Sequence, residues 1–190
     1  MTNNQQYLYI IVGRNGTGKT TFCNKLVNET LDKDGRVLII TPHDQEWQEV
    51  SWIEHNKRDL MTFTGVRKML FMSETANEKL DSIVNHVSKC LIVFDDCRAY
   101  FSALTPNVLE RLFISRRQKA INLVVVGHSF SRIPPAFFTY CNYYVLFNSN
   151  NDITSRKNYI NDFEAINNSL SRVRQIAETS NPYHYEIIKS

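Results

Sequence analysis

Apolar residues in this chain gather in short unbroken runs, among them YLYIIV, VLII, LIVF, LVVV and YYVLF. Between them lie longer stretches in which apolar and polar residues recur at helical spacing. A run that is apolar at every position reads as a strand covered on both faces. The pattern predicts strands at 7–12, 36–42, 90–96, 121–129 and 143–147, with a weaker one at 68–73. A helix is predicted over 19–31. In ETANEKLDSIVNHV, the residues Leu80, Ile83, Val84 and Val87 fall on one helical face. Thr105 and Pro106 open a further helix as N-cap and first helical residue, and NDFEAINNSLSRVRQIAE reads as the last one. The terminal YHYEIIK alternates, which suits a half-exposed edge strand. Strands alternating with helices imply an α/β fold whose mostly parallel sheet is covered by helices on both faces.

At 190 residues and 43% hydrophobic composition, the chain has the size of one well-packed domain, residues 1–190. NSNND, at 148–152, is the most loop-like stretch and is too short to separate two domains. The opening MTNNQQ lacks a basic-then-apolar signal pattern. No apolar run approaches the ~20 residues needed to span a bilayer, so a soluble cytosolic protein is expected. A formal charge of +3 permits a polyanionic partner without requiring one. The cysteines Cys23, Cys90, Cys97 and Cys141 form no C-x-x-C pair and have no histidine at zinc-ligand spacing, so they read as buried, inert thiols.

Candidate chemistry begins directly after the first strand. Gly13, Arg14, Asn15, Gly16, Thr17, Gly18, Lys19 and Thr20 fit the phosphate-loop pattern G-x-x-x-x-G-K-[ST], and Thr21 follows at the helix start. Glycines let successive backbone N–H groups turn inward around phosphate oxygens, and the helix adds its positive dipole end. Lys19 is expected to reach the β- and γ-phosphates, and the Thr20 hydroxyl to coordinate Mg²⁺.

In LIVFDD a buried strand delivers two acids, the Walker B pattern. Asp95 is expected to hold Mg²⁺. Asp96 would orient and deprotonate the attacking water. The extra strand and helix between the two motifs suit the additional-strand branch of P-loop ATPases. INLVVVGHS ends in His128, a candidate contact to the γ-phosphate or the attacking water. Arg111, Arg116, Arg117 and Lys119 cluster on the preceding helix. They are either a solvated face or, at Arg116 or Arg117, an arginine offered to a neighbouring subunit's nucleotide.

Taken together, these residues resemble the FtsK–HerA superfamily of P-loop ATPases. Within it they are similar to the small genome-packaging ATPases of tailless, internal-membrane-containing viruses and phages, with zonula-occludens-toxin-like phage proteins nearby. The resemblance rests on GRNGTGKT, LIVFDD, the SRRQKAINLVVVGHS block and the RIPP that follows it. It implies ATP hydrolysis with Mg²⁺, driving double-stranded DNA through a homo-oligomeric ring into a preformed capsid. The setting would be the host cytoplasm or a packaging vertex of the virion, with capsid or viral membrane proteins as partners. Two positions depart from the family. Its usual Asp-Glu is here Asp95-Asp96, and its usual strand-tip Gln is here His128. Arg98, in CRAYFSALT, is a candidate contact to DNA phosphate, with helix capping or pairing to Asp95 or Asp96 as its other readings. The competing functions are a small-molecule or nucleotide kinase, with Asp44 of TPHDQEW as base, and a slowly hydrolysing NTP-binding scaffold.

Overall fold

The computed structural model describes residues 6–149 and 152–190; Asn150 and Asn151 of the expected loop, and residues 1–5 of the polar leader, lie outside the described residues. Seven strands are present: β1 (Leu8–Val12), β2 (Arg36–Thr41), β3 (Val66–Leu70), β4 (Cys90–Phe94), β5 (Ile121–Gly127), β6 (Tyr143–Phe147) and β7 (Tyr185–Lys189). They form one sheet in the order β3-β2-β4-β5-β1-β6-β7. All neighbours are parallel except β6 and β7, so the alternating terminal segment is the antiparallel edge strand. β5 lies between the phosphate-loop strand β1 and the acid-bearing strand β4, the additional-strand arrangement.

Helices cover both faces. Successive residues of each strand point to opposite sides, and every position of β4 is buried. Val37, Leu91, Val93 and Val124 pack with Phe22, Cys23 and Val27 of α1 (Lys19–Leu31). Leu38, Ile40, Ile92 and Leu123 face the larger layer. That layer is built from α2 (Lys57–Thr62), α3 (Ala76–His86), α4 (Pro106–Gln118), α5 (Pro135–Thr139) and α6 (Phe163–Thr179). Leu80, Ile83, Val84 and Val87 are all buried there. Each all-apolar run is a strand pressed between two layers, which is why no polar alternation was needed to specify it.

Three details differ from the sequence pattern. β3 starts two residues before the expected 68–73 segment, because charged Arg67 and Lys68 interrupt the apolar signal within the strand. The two short helices α2 and α5 had no periodic signature, being six and five residues long. Thr105 does occupy the N-cap of α4, with Pro106 first in the helix, but its side chain makes no capping bond. Its backbone N–H instead donates to Asn77 Oδ1 at 2.8 Å, which ties the α4 entrance to α3. The four cysteines are buried and free. Burial pushes the Cys90 and Cys141 thiols up to about 12, so they stay protonated at neutral pH. No helix among the described residues is long and apolar enough to cross a membrane.

Strand registers align the carboxyl ends along one edge. Val12 stands between Gly127 and Leu146, and Phe94 stands between Val125 and Ile40. The loops leaving β1, β2, β4 and β5 therefore emerge together, which is where open parallel sheets bind ligands.

Candidate functional site

The loop after β1 is held open by its glycines. A Cβ at Gly13 would lie 2.4 Å from Phe147 Cβ, so only glycine passes there. Gly16 and Gly18 take φ of 75° and 98°, left-handed values that favour glycine. The start of the loop is pinned on both sides: Gly13 N–H donates to Gly127 O of β5 at 3.3 Å, and Arg14 N–H to Asn148 O, just past β6, at 2.9 Å. Thr17 is buried and its hydroxyl donates to Arg14 O at 2.9 Å. Lys19, only 7% exposed, places Nζ 2.8 Å from the same carbonyl and 3.4 Å from His128 Nδ1. Burial lowers the proton affinity of that amine, and Asp95 works in the opposite direction.

Opposite the loop stand the two acids after β4. Asp95 Oδ2 accepts the indole N–H of Trp47 at 2.7 Å, and Oδ1 accepts the backbone N–H of Asp96 at 3.0 Å. Asp96 takes the left-handed φ of 38°. Its Oδ2 lies 3.4 Å from His43 Nε2. Its Oδ1 lies 3.3 Å from Arg98 Nε and 3.6 Å from His128 Nε2, within ion-pair reach but without an aligned hydrogen bond. His128 thus stands between Lys19 and Asp96. Burial and the adjacent Lys19 charge lower its proton affinity, partly offset by Asp96. The ring also bonds the Gly13 backbone, which works with Asp96 against that lowering, and a neutral imidazole fits this position.

A third wall comes from the loop after β2. Glu46 Oε2 accepts the Thr41 hydroxyl at 3.0 Å, and burial, then the charge of Asp95, raises its proton affinity. This loop is anchored by Lys68, 2% exposed, whose ammonium donates to the carbonyls of Asp44 (3.2 Å), Glu46 (2.8 Å) and Trp47 (3.0 Å). The Trp52 ring covers it at 4.5 Å. The walls enclose an open cavity of about 830 Å³. It is lined by Lys19, Thr20, Thr21, Asp95, Asp96 and His128, with Asn15, Gly16 and Gly18 of the loop also present.

The sequence model of the AAA domain family matches residues 2–132. The chain belongs to that family. It is a P-loop ATPase, an ATP-binding and ATP-hydrolysing enzyme. Its fold matches the genome packaging NTPase B204 of Sulfolobus turreted icosahedral virus 2 bound to AMP, at TM-score 0.70 and 15% identity over 99% of this chain and 94% of that one. It also matches B204, the DNA-packaging ATPase of Sulfolobus turreted icosahedral virus, at TM-score 0.68 and 13% identity over 98% of both chains. The N-terminal domain of zonular occludens toxin from Neisseria meningitidis is a more distant likeness, at TM-score 0.44 and 16% identity over 76% of this chain and 78% of that one. No curated protein sequence matches.

Within the ATPase, the basic cluster before β5 divides, with Arg111 and Lys119 meeting at Asn85 of α3 and Arg116 turned inward. Arg111 pairs with Asp81 and Asn85, and Lys119 donates to the carbonyls of Val84 and Asn85. Arg116 corrects the expectation of a presented arginine: it is 2% exposed, with Nη2 3.4 Å from Tyr140 O. Its helical position explains this, since Leu109, Leu112, Phe113 and Arg116 are the buried residues of α4 and share one face. Arg117 is exposed. The sequence pattern suggested that the end of α4 emerges near one edge of the nucleotide site; in the fold it lies at the opposite edge of the sheet, because a helix entering a parallel strand ends at that strand's amino edge. The seven residues of β5 lie between, a span of roughly 20 Å at ~3.3 Å per residue. Asp44, the candidate kinase base, does not line the cavity either; His43, Glu46 and Trp47 of the same loop do.

Sequence reasoning missed Glu46, Trp47 and Lys68. The one available signal was TPHDQEW itself, polar residues and a tryptophan directly after a buried strand. Lys68→Met is expected to lower kcat by about 10–100-fold with little change in KM for ATP. The side chain it removes does not itself line the cavity but holds the loop that orients Asp95. Steady-state turnover beside a thermal melt checks this. Equal losses in turnover and melting temperature would mean that Lys68 serves only the fold.

Proposed function

We propose that this ATPase is a motor that hydrolyses ATP to move double-stranded DNA, working as a ring of identical subunits to package a viral genome into a preformed capsid. The observation that carries this is the end-to-end correspondence with B204, 98% of each chain, in a domain with the complete additional-strand order. Capsid or viral membrane proteins would be its partners at the packaging vertex, in the host cytoplasm or on the virion.

The geometry supports a role for each site residue. Gly13 and Arg14 fix the start of the loop through their bonds to Gly127 and Asn148, and the backbone N–H groups of residues 15–18 enclose the phosphates, with Arg14 and Asn15 at the exposed crest and Thr17 bracing the turn from inside. Lys19 neutralises charge on the β- and γ-phosphates, while Thr20 and Thr21 open α1 toward them. Mg²⁺ fits the donor set: Thr20 and Asp95 are hard oxygen ligands on one cavity, and both Asp95 oxygens keep lone pairs beyond the single N–H each accepts. When bound, the ion would offset charge developing on the phosphate oxygens. His128 holds the attacking water or the γ-phosphate between Lys19 and Asp96. Asp96 takes the proton of that water. Arg98 lines the cavity with its Nε 3.3 Å from Asp96 Oδ1, which favours pairing with that acid over a contact to DNA phosphate.

Asp96→Asn is expected to bind ATP normally and hydrolyse it ~10²–10⁴-fold more slowly, because an amide orients water but cannot take its proton at neutral pH. Single-turnover hydrolysis with nucleotide binding measured in parallel checks this. Wild-type turnover in Asp96→Asn, with loss in Asp95→Asn, would exchange the two roles. The function itself is tested by phosphate release with and without duplex DNA, with RNA, and with a panel of nucleosides. Stimulation by duplex DNA is expected. Phosphate transfer to a nucleoside would instead make the protein a kinase, and negligible release throughout would make it a scaffold.

A further inference from the structure

The cavity has one wall that phosphate chemistry does not use. The acids belong to one side of the phosphate loop: Asp95 and Asp96 follow β4, and Glu46 and Trp47 follow β2. The opposite side is closed by Tyr183, from the turn that joins α6 to the edge strand β7. From β4 to β7 the sheet takes four steps, through β5, β1 and β6, which is roughly 20 Å at ~4.8 Å per step. A nucleotide in this loop presents its terminal phosphate to the acids. Its nucleoside must then leave on the other side, across the exposed first turn of α1, where Thr20, Thr21 and Asn24 form the floor.

Tyr183 stands at that exit. It is 62% exposed, the most exposed large apolar side chain among the described residues. Its ring lies 3.7 Å from where a Cβ on Gly18 would be, so it rests against the end of the phosphate loop. Exposure here does not come from a loose chain. Tyr183 N–H donates to Asn181 Oδ1 at 3.0 Å, His184 N–H donates to Asn181 O at 3.0 Å, and Asn181 N–H donates back to Ile176 O of α6 at 3.0 Å. Two residues on, Tyr185 packs on Phe147 and Phe22, with ring centroids 5.0 and 5.3 Å away. A rigid turn thus offers a bare aromatic face beside a phosphate site.

We propose that Tyr183 is the stacking platform for the base of the bound nucleotide, a subsite that rests on the phosphate-loop reading. Its ligand class is a planar heteroaromatic ring, a purine in ATP. Stacking on a π-face is tolerant of base identity, and among the described residues the carboxamide on this floor, Asn24, is solvent-exposed rather than buried. GTP should therefore bind with an affinity close to that of ATP.

The test compares equilibrium binding of ATP and of inorganic tripolyphosphate, which lacks a base, to the full chain by calorimetry. In Tyr183→Ala the ratio of ATP to tripolyphosphate affinity should fall on the order of 10-fold. Tyr183→Phe, which keeps the ring and loses only the hydroxyl, should keep the wild-type ratio. An unchanged ratio in Tyr183→Ala overturns the platform and leaves the phosphate loop standing, whether both affinities hold or both weaken together. A wild-type protein that binds neither ligand overturns the loop and the platform at once.

Discussion

Replacing Lys19 with alanine is expected to reduce ATP turnover to background while the fold persists. The ammonium is buried inside the phosphate loop, held 2.8 Å from Arg14 O, where it would meet charge building on the β- and γ-oxygens. A preorganised donor in a partly desolvated site acts more strongly than the same charge in water. Little in the fold depends on it. Lys19 is the first residue of α1, where alanine is an excellent helix former. Burial already disfavours its charged form, so removing it relieves a desolvated group. The loop glycines and their anchors to Gly127 and Asn148 are untouched. Phosphate release with and without duplex DNA, beside a thermal melt, makes the check. Turnover at wild-type rate in a folded Lys19→Ala protein would remove the phosphate-loop mechanism altogether.

Arg117→Ala is the second large effect, expected at ~10³–10⁵-fold in DNA-stimulated hydrolysis if a neighbouring subunit uses this guanidinium. Arg117 cannot serve its own nucleotide, since all of β5 separates the end of α4 from His128. Only an adjacent ring subunit, bringing its phosphate loop to this edge, could use the side chain. The decisive experiment mixes two inactive variants, Lys19→Ala and Arg117→Ala, at equal concentration. Some interfaces would then pair an intact loop with an intact arginine, and part of the activity returns. Normal hydrolysis by Arg117→Ala alone would reduce it to a solvated surface residue. Arg116→Ala separates the two positions, because the buried Arg116 lies among the packed residues of α4 and its loss should register in melting temperature.

The sequence alone determined the parts of this ATPase whose geometry is local. Glycine spacing at 13–18 commits a few consecutive residues to a loop that side chains would obstruct, and the close approach of Phe147 to Gly13 shows the same constraint in the fold. Uninterrupted apolar runs identified the central strands, because a strand buried on both faces needs no partner's identity to be recognised. The acids after β4 and the histidine after β5 were legible for the same reason. Arg116 was legible too, in principle: it lies seven residues beyond Leu109, on the apolar face of its helix. What only the tertiary structure decided is which loops share the strand edge, and which end of the sheet a helix reaches. Trp47 meets Asp95 across 48 residues of chain, Lys68 holds the Trp47 loop from 21 residues away, and Tyr183 comes to rest beside Gly18. Those encounters follow from strand order and strand polarity. Both are settled by long-range backbone pairing and by burial of two opposite faces, and neither leaves a periodic mark on the residues it brings together.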